Sequence, residues 1–348
     1  MLANCGIGDK LFCVMRLRFS ILCAAVIAVL MCGCKVQNTI PEKTTAGSGY
    51  DVVVLCDDAL WMGDVSTAVS DVLELEAPGL TRPQGYFTIV KHVAANMATD
   101  VDKKYPNILA LSVNPTVEES SYSVSRNVYA RPQTVVVVTA PDGETMASYL
   151  VDVGEQIRDV MEEGERRRDI NFSSARPADQ LMAYFKEFTG FDMVIPANFY
   201  KATTADKELL WFIRDYPNKA QYIFAFTMPY EATENDDVYM RATQSLRAID
   251  EKFNTISSKG AAGSYMRISE QPMSCYVTEG VDVNGREWLE IRDWWEVAND
   301  FMGGPFVAYV YFDEANSEAK VIIFALYAPE DPQRNLLREL EHLIYTVK

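Results

Sequence analysis

Histidine is nearly missing from this chain: His92 and His342 are the only two among 348 residues. Imidazole is the commonest metal ligand and proton shuttle, so this shortage disfavours zinc sites and histidine-based catalysis. Cys-x-x-Cys and His-Glu-x-x-His spacings are lacking too, as are Gly-x-Ser-x-Gly and a phosphate-cradling loop. No motif in the residues points to zinc or to a cofactor. Positive charge is short as well, with 32 Lys and Arg against 49 Asp and Glu, a formal net charge of −17. So acidic a chain repels phosphate backbones and anionic headgroups, which argues against nucleic acid as a partner. The longest apolar run falls short of the roughly 20 residues that span a bilayer.

That run is nevertheless informative. Arg16 and Arg18 precede apolar residues from Phe19 to Leu30, and Met31-Cys32-Gly33-Cys34 follows. Two positive charges before a short apolar stretch and a small residue before cysteine form a lipoprotein export signal. Residues 1–33 are then a leader, with the true start expected at Met15, and Cys34 is the lipidated residue. The alternative, one uncleaved anchor, is interrupted by Asp9, Lys10, Arg16 and Arg18. Acyl chains contribute about 0.8 kcal/mol per buried CH₂, so several on one cysteine make the membrane a partner through this anchor alone. Four of the seven cysteines leave with the leader. Cys56 and Cys275 either form one disulfide, which an oxidising envelope permits, or stay as buried thiols.

Residues 34–49 have no apolar period and read as a flexible tether with a reach of roughly 20 Å. Beyond it, four strand-then-helix junctions stand out. Tyr50 to Leu55 precedes a helix with Val65, Ala68, Val69 and Val72 on one face. Thr134 to Thr139 precedes one carrying Met146, Leu150, Val153, Ile157 and Met161. Tyr222 to Met228 leads to a helix through Val238, Ala242, Ile249 and Phe253. Lys320 to Tyr327 leads to a last helix with Leu336, Leu340, Leu343 and Val347 inward. The second and fourth junctions read Val-Thr-Ala-Pro-Asp and Leu-Tyr-Ala-Pro-Glu. In the fourth, Asp331 is placed to cap free N–H groups and Pro332 to open the helix. The pattern predicts an α+β fold of two related halves, 50–172 and 173–348. Each is expected to be ferredoxin-like, with a mostly antiparallel sheet and helices on one face. Glu162 to Asp169 reads as a solvated helix end and linker.

Two places carry candidate chemistry. Asp57 and Asp58 follow the first strand at its carboxyl end, where paired carboxylates suit a divalent cation or acid–base work. Helix capping explains the same two residues. The second place is Ser274 to Phe306, where Asn284-Gly285 should close a tight hairpin. On the outgoing strand Leu289 and Ile291 point one way, while Trp288, Glu290, Arg292 and Trp294 point the other. Two indoles flanking an acid and a base suit a sugar ring or another planar ligand. The same face packed under a helix, with Glu290 and Arg292 satisfying each other, is the structural alternative. Gly303 and Gly304 in Met302-Gly303-Gly304-Pro305 would let backbone approach a ligand or a strand.

With these residues in view, the chain resembles uncharacterised Bacteroidota-type lipoproteins that carry a domain of unknown function. The likeness rests on Val-Leu-Cys-Asp-Asp-Ala-Leu-Trp at 54–61, Trp211-Phe212-Ile213-Arg214 and Tyr265-Met266. It continues through Glu290-Ile291-Arg292-Asp293-Trp294-Trp295, Met302 to Phe306, and Tyr327-Ala328-Pro329 with Arg334-Asn335 and Glu341. The resemblance implies a cell-envelope location and supplies no activity, ligand or catalytic residue. Lys35-Val36-Gln37-Asn38 lacks the acidic stretch that marks surface export in such bacteria, so the periplasmic side of the outer membrane is expected. The leading expectation is a non-catalytic module that binds an envelope protein or a glycan. The alternatives are an envelope hydrolase or metal-dependent enzyme using Asp57 and Asp58, and a glycan-binding face at Trp288 and Trp294.

Overall fold

Val52, Val53 and Val54 are all fully buried, which requires cover on both faces of their strand. Continuous apolar strands of this kind belong to parallel sheets. In the computed structural model, which describes residues 44–232, 237–257, 262–271 and 275–348, that is what they form. Strands β1 (Asp51–Leu55), β2 (Thr88–Val93), β3 (Asn107–Val113), β4 (Ser121–Arg126) and β5 (Thr134–Ala140) make a sheet ordered β2-β1-β3-β5-β4. β1 runs parallel to β2 and β3, and β3 to β5; only β4 is antiparallel, against β5. Val52 and Val54 face helices α2 (Asp64–Leu73), α3 (Gly143–Asp152) and α4 (Gly154–Ser174). Val53 and Leu55 face the opposite side, where Ala98 and Tyr105 of the β2–β3 connection close over them. A four-residue helix α1 (Asp58–Trp61) lies between β1 and α2.

The second sheet has eight strands, ordered β10-β11-β12-β13-β8-β7-β6, and every pairing in it is antiparallel. Its strands are β6 (Tyr200–Lys201), β7 (Leu210–Tyr216), β8 (Lys219–Pro229) and β9 (Tyr265–Ile268), then β10 (Tyr276–Val283), β11 (Arg286–Ala298), β12 (Gly303–Asp313) and β13 (Glu318–Tyr327). β11 is long enough to hold β10 along its first part and β9 along its last four residues. Alternation sends Val307, Tyr309 and Ile322 to one face, where α5 (Asp179–Thr189) and α7 (Gln333–Glu341) pack through Leu181, Phe185, Leu337 and Leu340. Phe306, Ala308 and Val321 go to the other, against α6 (Val238–Phe253) through Ala242, Ile249 and Phe253.

The molecule is therefore α+β, as the sequence implies, with two differences from the expected arrangement. The smaller sheet is parallel over four of its five strands, and the larger carries helices on both faces rather than one. The shared strand–Pro–acid–helix junction thus joins halves that differ in strand direction. Local capping differs too. Asp142 caps α3 by accepting from Thr145 N at 2.8 Å, whereas Asp331 pairs with Lys219 Nζ at 2.7 Å. The α7 N–H groups of Gln333 and Arg334 are taken instead by Gln84 Oε1, at 2.7 and 3.0 Å, from the other half of the chain. The 162–169 run is not a linker: it lies inside α4, where buried Glu165 accepts from Asn107 and pairs with Arg168. Asn284 and Gly285 both take positive φ, 53° and 82°, and close the β10–β11 hairpin.

Cys34 and the leader lie outside the described residues. The tether read over 34–49 is described only from residue 44, and that end is held rather than loose. Thr45 N and Ala46 N donate to Arg131 O and Lys104 O, and Asn335 donates to Ser48 Oγ and Gly49 O. Among the described residues no helix is long and apolar enough to cross a membrane.

Candidate functional site

Asp57 and Asp58 sit at the carboxyl end of β1, both exposed. Asp57 occupies the N-cap position of α1, yet its side chain caps nothing. Asp58 Oδ1 lies 3.7 Å from His92 Nε2, and that same nitrogen is 2.9 Å from the Cys56 carbonyl oxygen. Trp61 stacks on the His92 ring at 4.7 Å and 3°. Burial, with Asp57 and Asp58 adding, pushes the Cys56 thiol up to about 11, so it is no nucleophile near neutrality. Among the described residues no group of three His, Cys, Asp or Glu is arranged to hold a metal ion. Cys56 and Cys275 are separate thiols, one buried and one exposed.

The β11 face alternates as read from the sequence, but its two indoles do not share a surface. Trp288 is 1% exposed and packs between Phe191 and Tyr311. Trp294 donates Nε1 to Gly79 O at 3.1 Å, across to the loop after α2. A Cβ on Gly79 would meet Arg292 Cβ at 2.8 Å, so this contact also needs a residue without a side chain. Between the indoles, Arg292 donates to Glu290 at 2.7 Å and to Glu341 of α7 at 2.8 Å. Arg338 donates to Glu341 at 2.7 Å and pairs with Glu162 of α4 at 3.2 Å. His342 meets Asp169 at 2.8 Å.

Helical spacing explains this network. Leu337 and Leu340 of α7 pack on the larger sheet, Arg334 and Arg338 reach the smaller half, and Glu341 meets Arg292 of β11 between them. Arg334 donates to Gly85 O at 2.8 Å and lies over the Tyr50 ring at 5.1 Å. A polar cavity of about 380 Å³ remains inside it, bordered by Asp159, Glu162, Arg292 and Tyr309 among others. Burial raises the Glu341 carboxyl, but the Arg292 and Arg338 guanidiniums outweigh it and hold Glu341 well below the usual carboxylate range. Glu290 and Arg292 thus belong to a buried tie between the halves, the role their mutual pairing suggests.

Gly303 and Gly304 owe their identity to strand packing. Added Cβ atoms would lie 2.9 Å from Trp295 O and 1.9 Å from Leu326 O.

A different site emerges on the α6 side of the larger sheet. Seven strands about 4.8 Å apart span roughly 30 Å, whereas one helix covers about 10 Å. Past the end of α6 no described residue covers the sheet, which leaves a cavity of about 760 Å³ floored by Trp211, Tyr222, Phe224, Trp295 and Met266. Tyr200, Lys201, Thr203, Asp215, Ser257 and Asp300 add polar groups. The volume falls within the range of small-ligand sites, and an apolar floor with few polar groups is their usual chemistry. Trp211 stacks on Phe224 at 5.6 Å and 27°, and Tyr222 tilts against Trp211 at 6.1 Å. The Trp211 indole N–H is buried and meets no acceptor among the described residues. Tyr200 donates its hydroxyl to Asp215, a bond that, with lesser help from burial, pushes the phenol up to about 12. Burial likewise lifts the Tyr222 phenol well above its ordinary value, so both stay protonated donors. The sequence does not single out this site: Tyr222 enters only as the start of a strand and Trp211 only through the family resemblance. The available signal was alternation: Trp294 and Trp295 are adjacent, so they must serve opposite faces.

Fold and site together define an α+β protein with two sheets, a buried polar tie between them and an open aromatic cavity. Residues 178–346 match the family model described as Domain of unknown function (DUF4837), and residues 45–173 match Domain of unknown function (DUF8532). No curated protein matches. Among solved structures the chain is similar to a point mutant of protein Mog1, at 9% identity and a TM-score of 0.28, over 45% of this chain and 89% of that one. It is similar to the Saccharomyces cerevisiae Ran-binding protein Mog1p at 10% identity, with the same coverage and TM-score. A likeness this slight sets neither the fold nor the function of this chain.

Proposed function

We propose that the protein is a lipid-anchored binding module of the cell envelope, tethered through Cys34 on the periplasmic side of the outer membrane, whose ligand occupies the aromatic cavity. The observation that carries the binding part is the 760 Å³ cavity itself, floored by Trp211, Tyr222 and Trp295 beside donors and carboxylates. The partly exposed Trp211 and Tyr222 rings are costly to leave in water and gain from occupancy. The anchor rests on the arrangement of Arg16, Arg18, the apolar run and Gly33-Cys34. Native mass spectrometry of the chain purified from envelopes tests both parts. The expected result is an acylated N-terminal Cys34, with a ligand-bound species that drops at least tenfold in Trp211→Ala. A retained leader or an acyl-free terminus overturns the anchor. An equal bound fraction in the variant, or none in either protein, overturns the cavity as the site.

A further inference from the structure

We infer that the aromatic cavity takes an uncharged pyranose ring, so that its ligand is a neutral glycan; this rests on the cavity being the binding site. The floor offers two partly exposed ring systems, Trp211 and Tyr222, inclined at 59°. A pyranose has an apolar C–H face that lies on an indole and a rim of hydroxyls that need acceptors and donors. The polar lining supplies both kinds. Asp215 Oδ2 is taken by Tyr200, and its Oδ1 meets no donor among the described residues, so that oxygen is open to a sugar hydroxyl. Lys201, Thr203 and Ser257 bring donors to the same cavity.

Other ligand classes fit less well. Asp215 and Asp300 outnumber Lys201 in the lining, and the chain carries a net charge of −17, so phosphorylated and carboxylated ligands are repelled. An acyl chain would desolvate the Asp215 carboxylate and offer no hydrogen bond to its Oδ1. An organic cation prefers several open ring faces around it, whereas Trp295 and Phe224 are 3% and 0% exposed. A neutral ring that stacks on one face and hydrogen-bonds around its edge uses what is present.

The test is a glycan array probed with the fluorescently labelled, full-length acylated chain in a detergent without a sugar headgroup. Tetraethylammonium is titrated in parallel by tryptophan fluorescence. The expected result is binding confined to neutral glycans, reduced at least tenfold by Trp211→Ala and several-fold by Asp215→Asn. Tyr239→Ala, far exposed on α6, should leave it unchanged. Binding only to acidic glycans, or no Trp211-dependent glycan binding, overturns the inference. If tetraethylammonium alone binds in a Trp211-dependent way, the cavity stands as the ligand site and the pyranose is wrong. Loss of the array signal counts only where circular dichroism shows Trp211→Ala folded; if it is not, Asp215→Asn decides.

Discussion

Replacing Arg292 with Met would keep a long apolar stem but delete the guanidinium between Glu290 and Glu341. Arg292 is 6% exposed, and the side chain of Glu341 is 2% exposed. Afterwards Glu341 keeps only the Arg338 pair at 2.7 Å, and Glu290 keeps only the Tyr309 hydroxyl at 2.8 Å. Breaking a buried pair by removing one partner costs about 3–5 kcal/mol, because the charge left behind stays desolvated. The surviving partners put this case near the lower end, about 3 kcal/mol. At about 2–4 °C per kcal/mol for a large domain, the melting temperature should fall by about 6–12 °C. The pH trend has a definite sign. Glu341 has a folded-state pKa held below its unfolded value, so its contribution is full above the unfolded pKa and is lost as pH falls through the folded one. Without Arg292 that depression shrinks, so the variant's deficit should be widest near neutrality and narrow below about pH 5. Urea and thermal unfolding of the full-length chain at pH 7.5 and about pH 3, followed by near-UV circular dichroism, measures both effects. A deficit below about 1 kcal/mol, or one identical at the two pH values, would mean that water reaches these charges and that the tie is not a buried one. Arg292→Met combined with Glu341→Met should recover a good part of the loss, since no charge in the pair is then left alone.

Two further outcomes follow from particular contacts. Gln84→Ala removes the side chain that accepts from the first two α7 N–H groups and should cost about 1–2 kcal/mol, the worth of a helix cap, in denaturant unfolding. Equal stability would show that water caps α7 as well as Gln84 does. Asp102→Asn should loosen the β2–β3 connection, because Asp102 accepts from Lys91 Nζ at 2.7 Å and from Thr99 N and Oγ1 at 2.9 and 2.7 Å. The Lys91 bond, then those from Thr99, brings the Asp102 carboxyl down to about 2, so this support is complete above about pH 4 and fades as pH falls through 2. Amide exchange over residues 94–106 should therefore quicken at pH 7 in the variant, and unchanged protection there would refute the assignment.

Much of the fold could be read before any coordinates because it is written locally. The α2 face of Val65, Ala68, Val69 and Val72, the two-sided alternation of β11 and the Asn284-Gly285 hairpin each depend on periods of a few residues. The direction of the smaller sheet was also legible. Val52, Val53 and Val54 in unbroken succession, followed by a helix, favour parallel pairing, and the antiparallel expectation gave that run too little weight. The expected cap at Asp331 failed for a different reason: Gln84, some 250 positions away, reaches the same N–H groups first.

The candidate site divides along the same line. From residues alone one could say that Trp288, Glu290, Arg292 and Trp294 share a face, because that is geometry within a single strand. Whether the face meets solvent depended on α7, whose Glu341 and Arg338 arrive from the far end of the chain and bury it. The aromatic cavity likewise exists because one helix is too narrow for a seven-strand surface, a mismatch of widths that no segment carries by itself. Short-range periodicity settled which side chains point together. Only long-range packing settled which of those faces were covered, because burial depends on a partner that can come from anywhere along the chain.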